Sequence, residues 1–272
     1  MENKSTSNEK ELLREVEKLS SQLIEAESQR SHFLSHVLNE INNPLTSILG
    51  LTKSIMHAAY ENPELVHKQA CLAYEEAFEL DFQMRNIFAA AKIEAGKISV
   101  RPTAINFNKM VDNLLADLQF KLNRKKLVVS RITEAHDGNF IYTDSALIYS
   151  ILTNLVGNAI EYSYESGTIT IETILSSNRL FFSIQDEGPG ISEKDQHVIF
   201  RRFKQLDSGI HKLHRGTGLG LSIAKEYAEL LQGELKLKSS VGTGCTFILL
   251  VPLSPQQTPS EQYVEFGEEE LF

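Results

Sequence analysis

Cysteine is nearly missing from this chain, which holds only Cys71 and Cys245. Two thiols make neither a disulfide framework nor a zinc-type cluster, so stability has to come from burial, and a reducing compartment is the simplest expectation. Long apolar runs are also missing. No stretch approaches the ~18 uninterrupted apolar residues of a membrane span, and the opening Met1-Glu-Asn-Lys-Ser-Thr lacks the apolar core of a signal peptide. The expectation is a cytoplasmic chain with no membrane span. Positive charge is in deficit, with 27 Lys and Arg against 36 Asp and Glu for a net charge of −9. Nucleic-acid binders draw most of their affinity from neutralising phosphates, so no nucleic acid is expected as a partner.

What the chain does have is length and ordinary globular composition. Its 272 residues are 42% apolar and 23% charged, which at roughly 150 residues per domain predicts one large or two ordinary domains. The excess acid is concentrated at the end. Glu261, Glu265, Glu268, Glu269 and Glu270 fall within residues 254–272, where no Lys or Arg balances them. That segment is expected to be an acidic, weakly ordered tail.

The N-terminal third carries helical periodicity. Leu12, Val16, Leu19, Leu23 and Ala26 follow a heptad rhythm, predicting a coiled-coil lead-in over 9–32. The rhythm then takes three successive steps of four through Phe33, Val37, Ile41 and Leu45, a stutter with Pro44 inside it that favours a kink. Pro63 closes this helix and opens a second, whose seam runs Val66, Ala70, Ala73, Ala77, Leu80, Met84, Ile87 and Ala91 before Gly96 caps it. A long helical hairpin over 33–97 cannot bury a complete seam alone. It is expected to pair with a second copy as a dimeric four-helix bundle.

From residue 103 to 253 the pattern becomes mixed. Strands are expected at 127–132, 140–143, 168–175, 179–185, 234–238 and 246–251, with helices after Asp144, from Ser192 and from about Gly218. The fold class is therefore α+β, a helical hairpin followed by an α/β sandwich with a mostly antiparallel sheet. Polar groups suited to a nucleotide recur in it. Asn154 and Asn158 lie four apart on one helix and can offer oxygens to Mg²⁺ or donors to phosphate. An ionised Asp186 can accept from an exocyclic amine, while Gly188 and Gly190 let a ring approach the backbone. Gly216, Gly218 and Gly220 lead into a helix whose free amides suit phosphate.

In their order these segments resemble the sensor histidine kinase family. Ile151-Leu-Thr-Asn-Leu-Val-Gly-Asn-Ala-Ile resembles its N box, Asp186 to Gly190 its first glycine box, and Ile199-Phe-Arg-Arg-Phe203 its F box. Gly216 to Gly220 resembles its second glycine box and Gly242 to Phe247 its terminal strand motif. The resemblance implies a Bergerat-type ATP-binding domain with ATP and Mg²⁺ as cofactors. Asp186 would read adenine, Asn158 would hold the metal, and 204–217 would form a lid. The hairpin resembles the family's dimerisation and phosphoacceptor domain, with Phe33 to Leu45 as its H box.

One position departs sharply from that pattern. Alignment on Glu40, Pro44 and Leu45 puts Asn39 where the family has its phosphoacceptor histidine. An amide nitrogen is delocalised into its carbonyl and is no nucleophile, so ordinary autophosphorylation is expected to fail. His36 and His32 share the helix face with Asn39 and Asn43, yet His36 is a full turn, ~5.4 Å, from the expected acceptor. Glu161 stands where the N box commonly has Lys and Gln205 where Arg often follows the F box, two losses of cations that would stabilise a transferring phosphoryl group.

The resemblance thus implies a two-component core that binds ATP without the usual autophosphorylation, a pseudokinase acting on a partner. Homodimers, heterodimers with a related kinase, and a response regulator are the partners expected. The alternative is an active histidine kinase or a response-regulator phosphatase, for which Glu40 and Asn43 have the spacing that the family links to orienting a water.

Overall fold

The computed structural model describes residues 15–16, 18–21, 35, 37–57, 62–135, 140–176, 178–204 and 217–253. The rest of the lead-in at 9–32, His32, His36, the lid residues 205–216 with Gly216, and the acidic tail lie outside them. The chain divides into two compact units, Met1–Gln83 and Met84–Phe272.

In the first unit, helix α1 (37–57) runs through Pro44 without a break in helical assignment, and Pro44 is buried. Helix α2 (Pro63–Glu94) starts where expected, with Asn62 Oδ1 accepting from the Leu65 amide at 3.0 Å. Asn62 is thus a side-chain cap, and Pro63 takes the first helical position, where a missing N–H costs nothing. Gln69 Nε2 donates to Ser54 Oγ at 2.7 Å, and Gln83 Nε2 to Glu40 Oε2 at 3.2 Å. Moving down α2 moves the contact back along α1, so the two helices run antiparallel. Gly96, at φ +61°, ends α2 as the sequence predicts. Its amide bonds Ile93 O at 2.9 Å and that of Lys97 bonds Lys92 O at 3.0 Å, the paired closure of a Schellman turn.

The second unit continues with β1 (Thr103–Asn106), α3 (Phe107–Asp117), α4 (Gln119–Arg124), β2 (Val128–Ala135), β3 (Phe140–Thr143) and α5 (Ser145–Tyr162). Then come β4 (Thr168–Ser176), β5 (Arg179–Gln185), α6 (Glu193–Gln196), α7 (Gly220–Leu230), β6 (Glu234–Ser239) and β7 (Cys245–Pro252). Five strands form one sheet in the order β2-β4-β5-β7-β6, while β1 and β3 pair separately. β2 and β4 are parallel and the other pairs antiparallel, which fits the mostly antiparallel expectation.

Alternation on β4, β5 and β7 buries one sheet face, with Ile171, Leu180, Phe182, Ile184 and Leu249 all at 0% exposure. Helices α3, α5 and α7 supply the opposing layer: Phe107 meets Phe182 edge-on, with ring centroids 6.0 Å apart. Helix α5 buries most of its residues, the polar Thr153 and Asn154 among them. Asp144 caps it through Oδ1 to the Leu147 amide at 3.0 Å and reaches the Arg101 amide through Oδ2 at 2.7 Å.

Candidate functional site

Asp186 follows β5 directly and is only 2% exposed. Its amide donates to Cys245 O at 2.9 Å, and its Oδ1 accepts from the amides of Gly188 at 3.0 Å and Cys245 at 3.1 Å. Among the described residues no hydrogen bond reaches Oδ2. One carboxylate oxygen is therefore locked by the fold and the other makes no hydrogen bond among the described residues. Burial pushes the Asp186 carboxyl above its ordinary range, while the two amide donors pull it back.

The glycines around it are required by close backbone approach. A Cβ on Gly188 would lie 2.6 Å from Tyr162 O, and one on Gly244 would lie 1.9 Å from Asp186 O. Gly190 combines φ +69° with a Cβ position 1.9 Å from Ser240 O. The turn after β5 is thus pressed onto the β6–β7 turn, and the Gly242 amide bonds Pro189 O at 2.7 Å across it.

Asn158 is half-buried on α5 and makes no side-chain hydrogen bond among the described residues. Asn154, one turn earlier, is in a different situation. Asn86 Nδ2 donates to Asn154 Oδ1 at 3.1 Å, and Asn154 Nδ2 donates to Asn86 Oδ1 at 3.2 Å and to Ser150 O at 2.9 Å. Both amides are buried, at 2% for Asn154 and 5% for Asn86. A Cβ on Gly220 would come within 2.4 Å of Asn154 Oδ1. The last glycine of the second box therefore makes room for an amide pair, which leaves Asn154 no free donor for phosphate. Replacing Asn86 alone by Leu is expected to cost about 2–4 kcal/mol, because it orphans Asn154 Oδ1 and leaves one buried Nδ2 hydrogen unpaired. The Asn86→Leu/Asn154→Leu pair should cost less than the sum of the single changes, as measured by urea unfolding.

Gly218 has φ +67°, and the Phe203 amide donates to its carbonyl at 3.0 Å, so the F box and the second glycine box meet. Arg202 grips Glu226 of α7 with two bonds, Nε to Oε1 at 2.9 Å and Nη2 to Oε2 at 2.7 Å. Phe200 packs edge-on against Phe247 at 6.5 Å beneath Lys225 Nζ at 5.5 Å. α7 begins at Gly220 without a side-chain cap, leaving its first-turn amides available.

Glu161 has the Lys125 ammonium nearby as a countercharge. Lys125 Nζ donates to the backbone oxygens of Ile160, Glu161 and Ser163, closing the C-terminal end of α5. Burial lowers the Lys125 ammonium and the Glu161 carboxylate raises it again. All three ammonium hydrogens are engaged, so Lys125 does not replace the absent N-box lysine.

In the first unit, Asn39 and Asn43 are exposed on α1 and Glu40 is half-buried. Gln83, which holds Glu40, is 3% exposed, and its Oε1 is buried without a hydrogen-bond partner. The sequence did not single out Gln83 or Asn86. The expected seam used Met84, which is 38% exposed, whereas Gln83 and Asn86 are buried. Among the described residues no three His, Cys, Asp or Glu side chains converge as a metal centre, and no helix is long and apolar enough to cross a membrane.

Residues 143–255 match the family model of histidine kinase-, DNA gyrase B- and HSP90-like ATPases. The match begins at Thr143, just before the Asp144 cap, takes in Asn158, Asp186 and the glycine turns, and ends just after β7. The chain carries a HATPase domain and is homologous to sensor histidine kinases. It is 27% identical over 229 residues to the circadian input-output histidine kinase CikA of Synechococcus elongatus, covering 84% of this chain and 30% of CikA. It is 30% identical over 259 residues to the virulence sensor protein BvgS of Bordetella bronchiseptica, covering 92% of this chain and 21% of BvgS. The chain thus spans less than a third of either relative. Its fold is shared by histidine kinase ThkA in the crystal structure of its complex with the response regulator protein TrrA, at TM-score 0.53 and 24% identity, over 86% of this chain and 64% of that one. The similarity to kinases extends beyond the HATPase domain into the helical hairpin, where Asn39 lies.

Proposed function

We propose that this chain is a dimeric two-component signalling core that binds ATP, does not autophosphorylate at the usual position, and acts on a partner kinase or response regulator. The observation that carries the nucleotide reading is Asp186, a buried carboxylate with one oxygen pinned by two amides and the other unused. That geometry suits the exocyclic amine of adenine. Gly188 and Gly190 let the turn that carries Asp186 pack against Tyr162 O and Ser240 O, and the uncapped start of α7 after Gly216 and Gly218 suits the phosphates. Mg²⁺, which neutralises phosphate charge, fits the donor set through Asn158, whose amide oxygen is a hard ligand one turn from the committed Asn154.

Absence of transfer follows from chemistry at Asn39. The side chain is exposed on α1, and an exposed carboxamide still offers no nucleophilic lone pair. The exposed surface of α1 and α2, with Leu38, Leu45, Leu49, Leu72 and Phe88 each at least 40% exposed, suits a second copy or a related kinase in a four-helix bundle. ThkA engages TrrA, and a response regulator is the corresponding partner here.

A second reading, a response-regulator phosphatase, draws support from the Gln83 bond to Glu40. It fixes a carboxylate one helical turn from Asn43, and an acid with a neighbouring amide can orient water without covalent chemistry. Incubation with γ-labelled ATP and Mg²⁺ tests the first reading. No acid-labile, alkali-stable label is expected on this chain, and such a label would overturn it.

A further inference from the structure

The hydroxyl of Ser239 lies outside every nucleotide-binding segment named above, yet it touches both sides of the turn that holds Asp186. It accepts from the Ile191 amide at 2.8 Å and donates to Gly244 O at 2.7 Å. Cys245 Sγ lies 3.3 Å from the same oxygen. A hydroxyl has one proton and two lone pairs, and these contacts use them all. Ile191 directly follows the turn from Asp186 to Gly190, and Gly244 precedes the residue whose amide pins Asp186 Oδ1.

We propose that Ser239 is a positioning residue for the nucleotide site, a latch that holds the first glycine box against the β6–β7 turn and so sets the pose of Asp186. The proposal rests on the ATP-binding reading. The latch is built from more than one bond. Gln196 Nε2 donates to Ile191 O at 3.2 Å and to Ser239 O at 2.8 Å, and the register places Ser239 opposite Cys245. Those contacts are to backbone oxygens and survive loss of the hydroxyl. The Ile191 amide and Gly244 carbonyl do not, since each loses its Ser239 partner in an alanine variant. The tight approaches at Gly190 and Gly244 tolerate no filling atom but do nothing to resist opening of the turn. The hydroxyl adds to the Gly242–Pro189 and Asp186–Cys245 bonds in restraining that opening, and its contact with the buried Cys245 thiol closes the set. Burial holds that thiol at a pKa of about 11, so it stays neutral at physiological pH and brings no competing charge to Asp186.

The test compares the full chain with its Ser239→Ala and Ser239→Thr variants by calorimetric ATP titration and by amide hydrogen exchange without nucleotide. Ser239→Ala is expected to weaken ATP by about tenfold and to speed exchange of the Ile191 and Gly188 amides, with α5 and α7 exchange unchanged. Ser239→Thr, which restores the hydroxyl, is expected to recover both. A Ser239→Ala protein that keeps wild-type exchange at Ile191 and binds ATP within about twofold of wild type overturns the proposal. Faster exchange with unchanged affinity overturns it too, because the hydroxyl would then be structural only. Wild-type protein that takes up no ATP would overturn the nucleotide reading, and the positioning role with it.

Discussion

Asp186→Asn is expected to lower ATP affinity by about 10- to 100-fold, the range for losing a charge-assisted hydrogen bond in a buried site. An asparagine can keep the Oδ1 contacts to the Gly188 and Cys245 amides, so the turn should hold its shape. What changes is the second position, where an NH2 group then faces the adenine amine, donor against donor. Stability should move the other way. Burial raises the Asp186 pKa, which means that folding disfavours its ionised form. A carboxyl with a folded pKa above its unfolded one contributes a cost at pH values above the folded pKa, and the cost is relieved as pH falls through it. Above that pKa, the neutral asparagine avoids the cost, so the nucleotide-free variant should melt no lower than wild type. A thermal scan with and without ATP reads both effects, and a variant that melts lower and still binds ATP as wild type does would contradict them.

Gly190→Ala and Gly244→Ala are expected to destabilise by about 3–5 kcal/mol each, combining left-handed backbone strain with a steric collision. Both have positive φ, at +69° and +76°, and both would place a Cβ 1.9 Å from a backbone oxygen. Backbone cannot swing aside as a side chain does, so relief requires moving the turn. Gly157→Ala is the matched control. It sits inside α5 with nothing within 4 Å of its Cβ position, and should stabilise by roughly 0.5–1 kcal/mol through helix propensity. Urea unfolding of the three variants checks the order. Equal loss at residues 157 and 190 would show that the turn is not tightly held.

The elements that were legible in the sequence are those with one strong local signal. β3 and β5 lie at the expected residues, and Asp144 caps α5 because an acid precedes a long apolar run. β1, α3 and α4 were not legible. α3 and α4 are divided at Leu118, and the Asn106 cap on the Lys109 amide was not recognised as a helix start. The expected short helix from Ser192 to Phe200 is helical only over Glu193–Gln196, since turns replace it afterwards. At the site, motif order located Asp186 and its glycines, whose function depends on local backbone. It misjudged what Asn154 faces, because the partner Asn86 lies 68 positions away and only tertiary packing pairs them. Ser239 and Lys125 escaped notice for the same reason: each works through backbone groups distant in sequence.

Native mass spectrometry of the full chain with Mg²⁺ and ATP examines binding and transfer in one sample. The expected spectrum contains protein with dissociable ATP bound, diminished in Asp186→Asn, and no species heavier by a covalent phosphoryl group after denaturation in alkali. A covalent phosphoryl adduct on this chain, or no bound nucleotide at millimolar ATP, would contradict the reading of an ATP-binding core whose acceptor position is Asn39.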